Sequence, residues 1–309
     1  MMLVGDIGGT HARLALAQRD GEHYRLDHLQ RYDTPDDLPA LVRRYLDAFA
    51  TDALTGAALC GAGPLREDGS IALTNHPCVL DPAALADAAR VPLAHVVNDF
   101  QAVGQAIPAL SHDDLKTCGG ITTGDPRAPR VVLGAGTGLG VASLLSYRDD
   151  WIVLPGEGGH VDLAPVDDEE HAVWQILRRD HGALSAESLL AGPGFERLYH
   201  ALSGRTLPAP DIAAAAHARD EDALRAIAMF TRWFGRVAGN AALTLGAQGG
   251  VYIGGGIVPG WGALFEPAVF RSGFEDKRGF ENWLRRIPSW VITHPQPGLI
   301  GLARLAERA

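Results

Sequence analysis

The sequence predicts an α/β chain folded as two domains, and three features carry that prediction. Strand-like apolar runs alternate with helix-periodic stretches along the first half, in the manner of an α/β layer. A strand, a glycine turn and a second strand occur from Met2 to Ala17 and again from Val131 to Tyr147, hinting at two related domains. The 309 residues, 47% of them hydrophobic, are enough for a core in each domain.

Taken in order, Met2 to Ile7 is an apolar run suited to a central strand, Gly8-Gly9-Thr10 is a turn, and Ala12 to Ala17 returns as a strand. Asp37 to Phe49 is helical, with Leu38, Leu41, Val42, Tyr45, Leu46 and Phe49 on one stripe. Leu54 to Cys60 and His95 to Val97 are expected strands, and Phe100 to Leu110 an expected helix. In the second half Val131 to Leu133 leads into a glycine loop, after which Val141 to Tyr147 and Trp151 to Leu154 pair as a hairpin. Helices are expected over Glu169 to Arg179, Ala186 to Leu190 and Asp222 to Leu245, then a buried strand at Val251 to Ile253. The boundary is placed near Pro108 to Gly120: residues 1–109 form a smaller domain, to which a helix in about 296–309 returns, and residues 110–295 a larger one.

A formal charge of -10 argues against nucleic acid and anionic membrane as partners, since both bind through Lys and Arg. Lys116 and Lys277 are the chain's lysines, so a phosphate site must rest on backbone N–H groups, helix ends, metal or arginine. Cys60, Cys78 and Cys118 are odd in number and widely spaced, which fits buried thiols in a reducing compartment. The start, MMLVGDIGGTHAR, lacks the basic and apolar regions of a signal peptide and reads as mature protein. Val237 to Phe265 is uncharged, yet it is crowded with glycine and broken by Pro259. It reads as a buried helix end, a core strand and a glycine loop rather than a membrane span.

Gly5-Asp6-Ile7-Gly8-Gly9-Thr10 combines glycines that let backbone N–H groups approach phosphate with an aspartate suited to hydrated Mg²⁺ and a hydroxyl. A tight hairpin turn is the competing reading. The second loop, Gly134 to Gly140, carries four alternating glycines, more than a turn requires, with Gly134, Gly136, Thr137 and Gly138 as candidate ligand contacts. Neither loop is a Rossmann fingerprint or a Walker A loop. Gly254-Gly255-Gly256 would let an adenine or ribose pack against backbone. Asn98-Asp99 sits where a strand hands over to a helix, the ligand end of an open α/β sheet, with a helix N-cap role for Asp99 as the alternative. Glu157-Gly158-Gly159-His160 pairs an acceptor with a side chain that both donates and accepts, as a vicinal diol needs. A metal is the competitor but lacks a third clustered ligand. Glu187 is a candidate first-turn carboxylate.

The series GDIGGT, VNDF, GAGTGLG, PGEGGH, SAE and GGGIVP, in that order, resembles the bacterial, proteobacterial-type glucokinase family from about residue 2 to Gly301. The resemblance implies the two-domain actin-like, ribonuclease-H-like ATPase fold with an active-site cleft between the domains. It implies a cytoplasmic, homodimeric kinase that uses ATP and Mg²⁺ to phosphorylate glucose, or another hexose or amino sugar. A sugar- and ATP-binding sensor of weak activity is the reading from another class. Gly5 to Thr10 would hold ATP phosphates, with Asp6 meeting Mg²⁺ through water, and Gly134 to Gly138 and Gly254 to Gly256 would complete the nucleotide contacts. Asn98, Gly138, Glu157, His160 and Glu187 would hold the sugar, and Asp99 would take the 6-hydroxyl proton. The chain departs from the family pattern at His11, usually asparagine, and at the end of Thr74-Asn75-His76-Pro77-Cys78, which lacks a common tryptophan. It also lacks the zinc motif of the related repressor and kinase family, and the four residues before the loop leave no room for that family's DNA-binding helices.

Overall fold

The computed structural model describes residues 1–50, 53–74 and 76–308, which divide into two compact units. The first comprises Met1–Asp114 and the segment from His294 onward; the second is Leu115–Thr293.

The first unit contains β1 (Met2–Ile7), β2 (His11–Asp20), β3 (His23–Asp33), α1 (Leu38–Phe49), β4 (Gly56–Gly61), β5 (Ile71–Ala72), β6 (Val79–Leu80), α2 (Pro82–Ala89), β7 (Ala94–Asn98) and α3 (Asp99–Ala106), plus the C-terminal helix Pro297–Ala306. Its main sheet runs β3-β2-β1-β4-β7, with β1, β4 and β7 parallel and β2 and β3 antiparallel. β1 is apolar from Met2 to Val4 and at Ile7, with Asp6 the one charged residue, because both its faces are covered. Leu3 and Ile7 pack toward α1 and α2, while Met2 and Val4 pack with Ala102 of α3 and Leu299, Leu302 and Ala303 of the C-terminal helix. Helix starts follow local chemistry: Asp37 and Asp81 accept N–H bonds at the N-termini of α1 and α2, each with proline in the first turn.

In the second unit lie β8 (Leu115–Thr117), β9 (Arg130–Ala135), β10 (Leu139–Tyr147), β11 (Asp150–Gly156), α4 (Asp168–His181), α5 (Ala186–Leu190), α6 (Gly192–Ser203), α7 (Ala209–His217), α8 (Glu221–Leu245), β12 (Gly250–Gly255), α9 (Ile257–Trp261), α10 (Pro267–Glu275), α11 (Glu281–Arg285) and β13 (Ser289–Ile292). The C-terminal helix is therefore α12. The sheet runs β11-β10-β9-β12-β13-β8, with β9, β12 and β13 parallel. Each unit thus sets three parallel strands beside an antiparallel pair. α8, capped by Asp220 and ended by Gly246 in the left-handed conformation, buries Ile227, Phe230, Trp233, Phe234 and Val237 in the core.

Several elements differ from the expectation. The strand expected over Leu54 to Cys60 occupies Gly56–Gly61. The helix expected over Phe100 to Leu110 is α3 alone, followed by a single 3₁₀ turn at Ile107–Ala109, where Pro108 has no N–H to continue the ladder. Val237 to Phe265 is the end of α8, β12, α9 and a 3₁₀ turn, and among the described residues no helix is long and apolar enough to cross a membrane.

Candidate active site

In the first unit the registers Ile7–Gly61 and Gly61–Asn98 align the carboxyl ends of β1, β4 and β7. Those ends lead into the Gly8–Thr10 turn, the Gly61-Ala62-Gly63 segment and Asp99, the edge where open α/β sheets bind ligands. The turn is pinned: Gly8 N–H donates to the His11 carbonyl at 2.9 Å, and the Thr34 hydroxyl donates to the Gly8 carbonyl at 2.6 Å. Gly9 and Thr10 are exposed, and among the described residues no backbone carbonyl accepts their N–H groups, which leaves them for anionic oxygens. Ile7 lies in the core, and a Cβ on Gly5 would stand 2.5 Å from Leu14 and 2.6 Å from Leu59, so those two positions frame the loop.

Asn98 Oδ1 accepts the Phe100 N–H at 2.9 Å and its Nδ2 donates to the Gly63 carbonyl at 3.3 Å. Asn98, with extended backbone, is therefore the N-cap of α3, which corrects the capping role weighed for Asp99. Asp99 is the first helical residue, its Oδ1 also accepting from Phe100 N–H at 2.9 Å. Asp6 takes a hydrogen bond from Arg13 Nη1 at 3.0 Å and faces the Cys60 thiol at 3.7 Å. Burial first, then the nearby Asp6 and Asp99 charges, push the Cys60 thiol well above its usual range, so it stays protonated and donates. Among the described residues no three His, Cys, Asp or Glu side chains form a metal cage. Mg²⁺ held mainly by phosphate oxygens and waters asks the protein for one carboxylate, and the part-exposed Asp6 fits that demand.

In the second unit Glu157, His160 and Glu187 come together: His160 Nε2 is 3.8 Å from Glu157 Oε2 and 4.0 Å from Glu187 Oε1. Short local devices achieve this. Glu157 opens the 3₁₀ turn Gly158–His160, while Gly158 packs on Val141 and Gly159 on the Leu139 carbonyl. Ser185 and Ser188 close a capping box around α5, which sets Glu187 in its first turn. Glu187 Oε2 accepts the Leu139 N–H at 2.9 Å, leaving Oε1 toward His160. A Cβ on Gly138 would stand 2.7 Å from that same Oε2, so glycine is needed for the carboxylate to reach the loop.

The remaining glycines divide by cause. Gly134 and Gly255 are demanded by close backbone approach, since a Cβ on Gly134 would strike Gly254 and one on Gly255, at φ +81°, would strike Ala135. Gly136 and Gly256 face open space, Gly136 N–H closing its loop onto the Gly138 carbonyl at 2.8 Å and Gly256 preceding α9. Packing does not explain those two glycines. Thr137 lies in the same turn.

Of the two departures, His11 Nδ1 lies 3.5 Å from Asp33 Oδ1 on the neighbouring strand. In the second stretch Asn75 lies outside the described residues, while His76 Nδ1 accepts the Cys78 N–H at 3.1 Å and Cys78 is fully buried. Arg13 and Gly63 were not singled out in the sequence. Arg13 was within reach of hairpin arithmetic, because a turn closed from Gly8 to His11 sets Asp6 opposite Arg13; the Gly63 carbonyl carries no signal in residue type.

The family model described as Glucokinase matches residues 3–309. A glucokinase of Yersinia enterocolitica is 43% identical over 307 residues, covering 97% of this chain and 94% of the relative. The crystal structure of a glucokinase from an Antarctic psychrotroph superposes with a TM-score of 0.90 at 30% identity, over 100% of this chain and 99% of that one. A Balamuthia mandrillaris glucokinase solved in complex with glucose gives 0.80 at 26% identity, over 100% and 93%.

Proposed function

The chain belongs to the glucokinase family, and from that premise we propose how its own residues carry out ATP-dependent phosphorylation of glucose on the actin-like, ribonuclease-H-like fold. One observation carries the assignment of roles: the register that sets the pinned Gly8–Thr10 turn and Asp99 on one edge of the first sheet. Glucose 6-phosphate and ADP are the products.

Gly9 and Thr10 N–H groups and the Thr10 hydroxyl hold phosphate oxygens of ATP, so scarcity of lysine is no obstacle. Asp6 is the residue that would hold Mg²⁺, and the chemistry supplied there would be charge neutralisation on the phosphates. Asn98 and the Glu157, His160 and Glu187 cluster hold the sugar hydroxyls, with carboxylates accepting and His160 able to donate. Gly138 lets Glu187 approach the loop. Gly134, Gly136, Thr137 and Gly254 to Gly256 line the nucleotide. The 6-hydroxyl oxygen attacks the γ-phosphorus, the bond from that phosphorus to the bridging oxygen breaks, ADP leaves, and the Asp99 carboxylate takes the hydroxyl proton. Positioning supplies most of the acceleration and Asp99 about 10²- to 10⁴-fold.

The free, buried Cys60, Cys78 and Cys118 support a reducing, cytoplasmic setting, and the family resemblance supports a homodimer. The test is ADP release with Mg-ATP and glucose for the wild-type chain and for Asp99→Asn, with folding checked by thermal melting. Turnover lost by at least about 10²-fold in a folded variant supports the role of Asp99. A folded variant that turns over at the wild-type rate removes it.

A further inference from the structure

Lys277 follows α10 in a turn locked by its own backbone, whose N–H donates to the Glu275 carbonyl at 2.8 Å and whose carbonyl accepts the Phe280 N–H at 2.7 Å. Its stem lies on α8 where the helix is bare: Cε is 3.2 Å from the place a Cβ on Gly239 would occupy. The side chain is half-buried, and no acceptor among the described residues takes a hydrogen bond from Nζ. The charged groups facing it are Arg236 on α8 and Asp276 beside it in the chain. Arg236 is a fixed cation, its guanidinium held by Glu170 at 2.6 Å and by the Ala164 carbonyl at 3.1 Å. Burial first, then Arg236, pull the Lys277 ammonium down to about 8 against the opposing pull of Asp276. At pH 7 roughly a tenth of such an amine is neutral, against about one part in 2,500 for an ordinary lysine.

We propose that Lys277 is a modification site that accepts an activated acyl group, from an acyl phosphate or an acyl thioester. The Nζ lone pair attacks the acyl carbon. The carbon–oxygen bond to phosphate, or the carbon–sulfur bond, breaks, and phosphate or thiolate leaves with the electron pair. The extra proton on nitrogen passes to water and an amide remains. The product is neutral, so acylation removes the repulsion with Arg236 that the ammonium carries. The same repulsion therefore favours both the nucleophile and the product.

Lys116, the chain's other lysine, lies exposed on β8 and serves as an internal comparator. The wild-type protein is treated at pH 7.5 with acetyl phosphate in one arm and acetyl-coenzyme A in the other. Peptide mass spectrometry then gives the initial rate at each lysine, in the folded chain and in concentrated urea. The expected result is a preference for Lys277 on the order of tenfold in the folded chain, smaller than the ratio of neutral amine because a less basic amine is a weaker nucleophile, and falling to near parity in urea. Preference with one donor alone assigns the source of the acyl group. Equal or faster labelling of Lys116 in the folded chain, or a preference that survives in urea, overturns the proposal.

Discussion

At the scale of single residues, the two glycines of one loop are distinguishable by experiment. Gly138→Ala places a methyl against Glu187 Oε2, which must give up the Leu139 N–H or swing away from His160. Its KM for glucose is expected to rise about tenfold, which is about 1.4 kcal/mol of lost binding, with melting temperature little changed. Gly136→Ala meets open space and should leave glucose KM unchanged, so steady-state kinetics on the pair separates the two glycines. A second residue sets a pH dependence. His95 Nε2 is buried with no hydrogen-bond partner among the described residues, and desolvation lowers the ring below its usual value. A lowered histidine binds fewer protons folded than unfolded, so its contribution is full above the unfolded value near 6.5 and is lost as pH falls through the folded value. Melting temperature should therefore fall below about pH 6.5, and less steeply in His95→Leu; identical pH slopes in the two proteins would remove His95 as the cause. Glu157 and His160 could be named from sequence because glycine-flanked polar residues do not fit core packing, whereas Glu187, between Ala186 and Ser188, was singled out by the family resemblance. Arg13 and Gly63 could not be read from residue type, since one acts through strand register and the other through a carbonyl.

Elements show the same division between pattern and partner. β1, α1 and α8 were readable because continuous burial or a one-sided stripe leaves an apolar signature. β3 was missed because His23–Asp33 is half-exposed and charged, and only pairing with β2 makes it a strand. α12 makes a sharper case, because its two glycines share one helix and differ only in what they face. Gly301 lies on α3, where a Cβ would strike the Ala102 carbonyl, while Gly298 faces open space. Gly298→Ala should be neutral or stabilising by up to about 1 kcal/mol, from helix propensity alone. Gly301→Ala meets backbone, which no rotamer change relieves, and should cost about 1–3 kcal/mol. Because α3 begins at Asp99, the same substitution should also lower kcat. Urea melts and initial rates on both variants test this; equal stability would mean that α12 and α3 part without cost.

At the scale of the whole chain, each unit has its own buried clusters, and the first is built from both ends of the sequence. Leu299 and Leu302 are 1% and 0% exposed and, with Ala303 and Ala306, cover the face of the first sheet formed by Met2, Val4, Ala58 and Cys60. Burying each leucine contributes about 1.5–3 kcal/mol, so the helix supplies a large share of a domain's usual margin of 5–15 kcal/mol. Among the described residues, none from that helix belongs to the buried cluster of the second unit. Removal of residues 294–309 should therefore act unevenly, because the loss falls on one core and leaves the other intact. Hydrogen exchange read by mass spectrometry should find β1 and β4 unprotected in the shortened chain while β9 and β12 keep their protection. Protection of β1 and β4 at the wild-type level would mean that the first unit folds without its C-terminal helix. Loss at β9 and β12 as well would mean that the two cores stand or fall together.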